Sequence, residues 1–235
     1  MDLQGLKLTW LGHSNFRILN TGGQVVLIDP WFTENPASPE KSIPKKKVDL
    51  VLITHGHFDH LGDAIEIAKK HGPKVIGIFE LCAWLQKKGV ENCSPMNLGG
   101  SQSAADVRVT MVPARHSSGI QEDGQMIYAG EPCGYVMEFE NGVKIYHAGD
   151  TAVFSDMQLI HELYRPDIAL LPIGDHYTMG PREAACAVSL LRPKTVIPMH
   201  FGTFPALTGT ADEFKKHVED LGVEVVVMKP GQTIE

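Results

Sequence analysis

The residues best suited to chemistry stand in one stretch, Thr54-His55-Gly56-His57-Phe58-Asp59-His60, directly after the apolar run 48–53. Three imidazoles and a carboxylate within six positions are ligands for Zn²⁺ and similar divalent cations. In an extended tail His55 and His57 point the same way, because side chains alternate along a strand with a period of two. A turn after His57 would send Asp59 and His60 toward a second cation beside the first.

Four such residues do not complete two metal sites, so the remaining ligands must come from elsewhere in the chain. The polar residues best able to bind metal follow apolar, strand-like runs: His55 after LVLIT, His116 after VRVTMVPAR, Asp150 after VKIYHAG and His200 after TVIPM. In packed sheets strand ends share a rim, so four points distant in sequence can converge there. A cluster of four ligands plus three single ones supplies two metals and leaves positions for water.

The elements that must position them read as follows. Strand patterns at 6–11, 16–19 and 25–28 form an antiparallel meander, with Thr21-Gly22-Gly23 as a hairpin turn. After His60 the period changes: residues 64–71, closed by Gly72, and residues 80–88, closed by Gly89, read as helices around a strand at 74–78. Strands are expected at 107–112, 133–139 and 143–147, the last two joined at Asn141-Gly142, a strong hairpin signal. A polar loop is expected through Gly119 and Gly124. The last third alternates again: helices near 155–163, 181–191 and 211–221, strands at 167–173, 195–200 and 224–228. Pro181 suits a first helical turn, where its missing N–H costs nothing. Meander followed by βα units occurs about once per half, which suggests a structural duplication.

Composition narrows the function. With 235 residues the chain is long enough for one large domain, and 43% apolar and 21% charged residues are ordinary for a globular protein. A net charge of −7 argues against a general nucleic-acid binder, and the basic run Lys45-Lys46-Lys47 reads as a solvated loop. Cys82, Cys93, Cys133 and Cys186 show no CxxC spacing, the pattern of free thiols in a reducing compartment. The N-terminal stretch lacks the basic and apolar regions of a signal peptide, and no apolar run reaches membrane-spanning length. A cytoplasmic location is the expectation.

The series HxHxDH (His55, His57, Asp59, His60), then His116, Gly149-Asp150 and His200, resembles the metallo-β-lactamase superfamily along essentially the whole chain. Gly12-His13-Ser14, Leu27-Ile28-Asp29-Pro30 and residues 172–179 are similar to its branch of uncharacterised metal-dependent hydrolases, akin to ascorbate-phosphate lactonases and acylethanolamine phospholipases. The resemblance implies an α/β (α+β) four-layer αβ/βα sandwich over residues 1–235. It implies His55, His57 and His116 on one metal, Asp59, His60 and His200 on the other, Asp150 bridging, and a hydroxide between the metals as nucleophile. Asp59 would also orient that hydroxide. The cofactors implied are two divalent ions per chain, Zn²⁺ first, with Mn²⁺, Fe²⁺ and Ni²⁺ as alternatives.

Three further residues are expected near the site. Asp29 ends a strand where the family keeps a carboxylate that braces the metal loop from behind. His13, at another strand end, is expected to brace the site or touch substrate. His176 is assigned as a catalytic residue, donating a proton to the leaving group or holding a substrate oxyanion. His147 is read as structural, and His71, His161 and His217 as helix-surface residues. The function expected is hydrolysis of a small ester, lactone or phosphodiester. The alternatives are an RNA-processing nuclease of the same superfamily and a non-catalytic metal-binding protein. A diiron flavoprotein is disfavoured because His57 stands where such proteins carry a carboxylate. A small-molecule substrate, no nucleic acid and no membrane span are expected, with homo-oligomers left open.

Overall fold

The computed structural model describes residues 2–235. The chain runs β1 (Lys7–Trp10), β2 (Phe16–Leu19), β3 (Val25–Ile28), β4 (Leu50–Leu52), α1 (Phe58–Leu61), α2 (Ala64–His71), β5 (Lys74–Ile78), α3 (Phe79–Lys87) and β6 (Cys93–Met96). Next come β7 (Ser101–Ala104), β8 (Val107–Pro113), β9 (Gly119–Glu122), β10 (Gln125–Tyr128), β11 (Cys133–Phe139) and β12 (Lys144–His147). The chain closes with α4 (Met157–Tyr164), β13 (Ile168–Pro172), α5 (Pro181–Leu191), β14 (Thr195–Met199), α6 (Ala211–Val218), β15 (Glu224–Val225) and β16 (Thr233–Ile234).

Two seven-stranded mixed sheets result, in the orders β16-β1-β2-β3-β4-β5-β6 and β15-β14-β13-β12-β11-β8-β7. Each begins as an antiparallel meander and continues as parallel strands linked through helices. The period of two sorts the second sheet's side chains between two cores. Tyr135, Met137, Ile145, Leu170 and Ile197 join the core that also holds the first sheet. Val136, Tyr146, Ala169, Leu171 and Val196 pack with residues of α4, α5 and α6. Helices α2 and α3 bury Ile67, Leu81 and Leu85 with the first sheet, which completes a helix–sheet–sheet–helix sandwich. Among the described residues no helix is long and apolar enough to cross a membrane.

Several local expectations need correction. The polar loop through Gly119 and Gly124 is a hairpin, β9–β10, turning at Asp123-Gly124, a strong type of hairpin dipeptide. The terminal strand at 224–228 shrinks to Glu224–Val225, and the last helix stops at Val218 before a 3₁₀ turn, Glu219–Leu221. Strands β6, β7 and β16 carry weak strand patterns, and they exist because a neighbouring strand offers hydrogen bonds at the sheet edge.

Candidate metal centre

Strand directions decide where the chemistry collects. β1 and β3 both run antiparallel to β2, and β3 is parallel to β4, so these three strands end on one rim. β8 and β12 both run antiparallel to β11, and β12, β13 and β14 are parallel, so their ends share a rim as well. His13, Asp29 and His55 follow β1, β3 and β4; His116, Asp150 and His200 follow β8, β12 and β14. The two rims meet: the backbone N–H of His200 donates to the carbonyl of His13 at 3.1 Å, and that of Cys133 to Thr54 at 3.0 Å. His13, Asp29 and His200 all adopt left-handed backbone angles, φ +58°, +48° and +53°. Each such residue costs about 1 kcal/mol or more and persists where its surroundings hold it, typically at functional sites.

The side chains fall into connected groups. His55, His57 and His116 bring one nitrogen each within 4.8 Å of one another, and so do the ligand atoms of His13, Asp59, His60 and His200. His55, His60 and Asp150 form a third such group, joining the first two. Asp150 Oδ2 lies 3.1 Å from His200 Nε2, 3.2 Å from His60 Nε2 and 3.6 Å from His116 Nε2. The helix α1 explains the division of the motif. His57 closes the extended segment, and the one-turn helix that starts at Phe58 turns the chain so that Asp59 faces His13 while the His60 ring returns to within 4.1 Å of the His55 ring.

Buried hydrogen bonds set the tautomers. Asp29 accepts from the Thr54 N–H at 2.8 Å and from the Thr54 hydroxyl at 2.7 Å, and it faces His60 Nδ1 at 2.7 Å. A carboxylate only accepts, so His60 Nδ1 carries a proton and its Nε2 is the atom turned toward the centre. Thr54, whose hydroxyl proton is committed to Asp29, accepts from His55 Nδ1 at 3.0 Å, so His55 Nε2 carries no proton and accepts from His57 Nδ1 at 2.9 Å. His13 Nε2 donates to Asp59 Oδ2 at 2.9 Å, and its Nδ1 accepts from the Thr203 hydroxyl at 2.9 Å. His13 is thus a brace that aims Asp59. The metal loop is also tied by Gly56 N–H to Ser118 Oγ at 3.1 Å.

Electrostatics follow from burial and crowding. Burial pushes His55, His57 and His116 below their ordinary range, with neighbouring imidazoles adding to the effect, so this trio presents neutral nitrogens. Burial and the His200 and His60 charges bring His13 down to about 4. Burial opposes charge on Asp59, but His60 and His13 outweigh it and hold the carboxyl at about 2. Burial likewise opposes charge on His60, yet Asp150, Asp29 and Asp59 lift it well above the usual range. The carboxylates around the second cluster therefore call for compensating positive charge.

A divalent cation fits these residues. Nε2 of His60, both ring nitrogens of His200 and Oδ1 of Asp150 are buried without a hydrogen-bond partner. Each such orphan costs about 1–3 kcal/mol, and imidazole nitrogens with carboxylate oxygens are the donor set that Zn²⁺, Mn²⁺, Fe²⁺ and Ni²⁺ accept.

In front of this centre lies a cavity of about 650 Å³ lined by His57, Asp59, His116, Asp150 and His200 together with Phe58, Ser117, Tyr177, Phe204, Pro205 and Ala206. The structure does not bring His176 among them. His176 is exposed on a turn where both Asp175 and His176 have positive φ, and its ring meets Tyr177 edge-on at 4.4 Å. Tyr177, the next residue, enters the wall instead. The segment 117–132 contributes Ser117 here, and Thr33 and Glu34 line an adjoining cavity shared with His57 and Phe58. Sequence reasoning missed Thr54, Thr203, Tyr177 and Phe204. Thr54, Thr203 and Phe204 gave a signal only through their position within four residues of the candidate ligands His55 and His200. His147 bonds Ser14 O at 3.0 Å and accepts from Gly149 N–H at 3.1 Å, away from the cavity. His71 and His161 bond the Pro44 and Leu191 carbonyls, and His217 pairs with Glu213.

Comparison with known proteins agrees with this architecture. Residues 24–201 match the model of the β-lactamase superfamily domain. A UPF0173 metal-dependent hydrolase of Koribacter versatilis is 62% identical over 233 residues, covering 99% of both chains. Among solved structures, the metallo hydrolase Igni18 of the archaeon Ignicoccus hospitalis superposes with a TM-score of 0.86 at 43% identity over 97% of each chain. The metallo-β-lactamase fold protein YhfI of Bacillus subtilis shares the fold at a TM-score of 0.74 and 15% identity, over 98% of this chain and 99% of its own. Two mixed sheets with helices on their outer faces, a match over most of the chain and full-length relatives place this protein in the metallo-β-lactamase superfamily, within the UPF0173 metal-dependent hydrolases.

Proposed function

We propose that residues 1–235 form a single hydrolase domain that cleaves a small ester, lactone or phosphodiester with two divalent cations. His55, His57 and His116 would hold one cation, Asp59, His60 and His200 the other, with Asp150 between them. The observation that carries this reading is the convergence of seven ligand-type side chains, several with orphaned buried donor or acceptor atoms, on one centre, five of them lining one cavity. When bound, such cations lower the pKa of a shared water toward neutrality and polarise the scissile carbonyl or phosphoryl oxygen.

The chain's own residues do the rest. Asp59 lines the cavity and keeps 13% of its side chain exposed, while one of its oxygens is committed to His13. Its carboxyl stays ionised at neutral pH, so it is the group assigned to orient an attacking water by accepting a hydrogen bond from it. Asp29 and Thr54 occupy Nδ1 of His60 and of His55, so Nε2 is the atom each ring would offer to a cation. Zn²⁺ is the first expectation for the cation, a small molecule for the substrate and the cytoplasm for the location.

Metal analysis of purified protein under metal-replete conditions should give near two equivalents per chain; fewer than one would sink the reading. Turnover of bis-p-nitrophenyl phosphate against a panel of lactones and esters then divides phosphodiesterase from lactonase and esterase.

A further inference from the structure

The cavity wall beyond the candidate ligands is made by Phe58, Tyr177, Phe204, Pro205 and Ala206, with Ser117 and the Tyr177 phenol supplying hydroxyls. No lysine or arginine stands among the described residues that line it. Cations gather elsewhere, around a separate cleft lined by Arg17 and Lys45 to Lys47, where Arg17 pairs with Glu40 and Lys47 with Asp49. We propose that this wall binds the apolar arm, an aromatic ring or an alkyl chain, of an uncharged ester or lactone. The proposal deepens the hydrolase reading and rests on it for the placement of the scissile bond.

Three observations support an apolar, neutral ligand. Phe58 and Tyr177 are 67% and 55% exposed, a large apolar exposure for side chains that face one cavity. The wall is also braced. Phe58 meets the buried Trp31 edge-on at 5.7 Å, and Phe204 lies against the same indole at 5.9 Å and against His13 at 5.5 Å. Tyr177 meets the exposed His176 ring edge-on at 4.4 Å. Rings already ordered lose little entropy when a ligand packs on them. Finally, a phosphorylated or carboxylated arm would need a guanidinium or ammonium partner. The wall has none, and the polar floor already carries Asp59 and Asp150.

The test uses metal-loaded protein and a series of straight-chain hydroxamates from acetohydroxamate to octanohydroxamate, with phosphonoacetohydroxamate as the anionic comparison, titrated calorimetrically. Affinity should climb by about threefold per added methylene while the chain lengthens along the wall. The phosphono compound should bind no more tightly than acetohydroxamate. Phe58→Ser and Tyr177→Ser, both at exposed positions, and Phe204→Ala should each flatten the climb. Affinity independent of chain length, or tightest for the phosphono compound, overturns the proposal. Parallel hydrolysis of γ-alkyl lactones separates the two readings. Rising hydroxamate affinity with no hydrolysis of any ester, lactone or phosphodiester keeps the apolar site and removes the hydrolase reading. Lactone hydrolysis with kcat/KM and hydroxamate affinity both indifferent to chain length does the reverse.

Discussion

Replacing Asp29 by Asn tests whether a buried carboxylate outside the ligand set governs the metal centre. Asn has nearly the same shape and tolerates the left-handed φ of +48°, so the change is one of hydrogen-bond capacity. Asp29 is fully buried and serves three donors: Thr54 N–H, the Thr54 hydroxyl and His60 Nδ1–H. With the amide oxygen in the Oδ2 position, the Thr54 hydroxyl and His60 keep an acceptor and the Thr54 N–H faces an NH₂ group. The opposite flip orphans two donors, so the first should prevail. Losing one buried acceptor costs about 1–3 kcal/mol, and turning two charge-assisted bonds into neutral ones costs about 1 kcal/mol each. The expected destabilisation is about 3–5 kcal/mol, read from urea unfolding of chelator-stripped protein. The weaker hold on the Nδ1–H tautomers of His55 and His60 should also lower metal affinity by roughly 10–100-fold, measured by competition with a chromophoric chelator. A stability loss with unchanged metal affinity would refute the tautomer argument; no change in either would refute the whole account.

Three other outcomes follow from the geometry. A methyl group at Gly149, where φ is +62°, would meet the Cys133 carbonyl at 2.6 Å and the Thr54 side chain at 3.0 Å. Gly149→Ala should therefore destabilise by roughly 2–4 kcal/mol in urea unfolding, by overpacking and backbone strain, and should weaken metal binding through Thr54. Burial holds His147 below its ordinary range, so the unfolded chain takes up this proton first. Its share of stability is present above the unfolded value near 6.5 and is lost as pH falls below it, and apo His147→Gln should show a shallower acid-side decline than apo wild type. Asp59→Ala should abolish turnover. His176→Ala, exposed and outside the cavity lining, should cost less than tenfold in kcat, and a loss beyond about a hundredfold would restore a general-acid role for His176.

Much of the scaffold is legible because its signals are local. Short apolar runs mark β2, β3 and β5 to the residue, and Pro181 with Ala184, Val188 and Leu191 marks α5 to both ends. Asn141-Gly142 marks the β11–β12 hairpin, whose Glu138–Lys144 register the structure shows. Ligand chemistry is equally local: imidazole and carboxylate at strand ends announce a metal centre before any fold is drawn. The Asp123-Gly124 turn was readable too, but polar flanking residues hid the β9–β10 hairpin.

What the chain alone determined is the class of chemistry, because metal coordination depends on residue type and on strand ends that topology gathers onto a rim. Only the tertiary structure decided how these residues are held. The His13–Asp59–Thr203 chain joins positions 46 and 190 residues apart from His13, and no periodicity encodes such a contact. It also decided which neighbour enters the pocket, since two positive φ angles at Asp175 and His176 expose the imidazole while Tyr177 lines the wall. Adjacent side chains differ completely in environment when the backbone turns between them, so packing decides which residues line the cavity, while residue type at the rim decides what chemistry is available there.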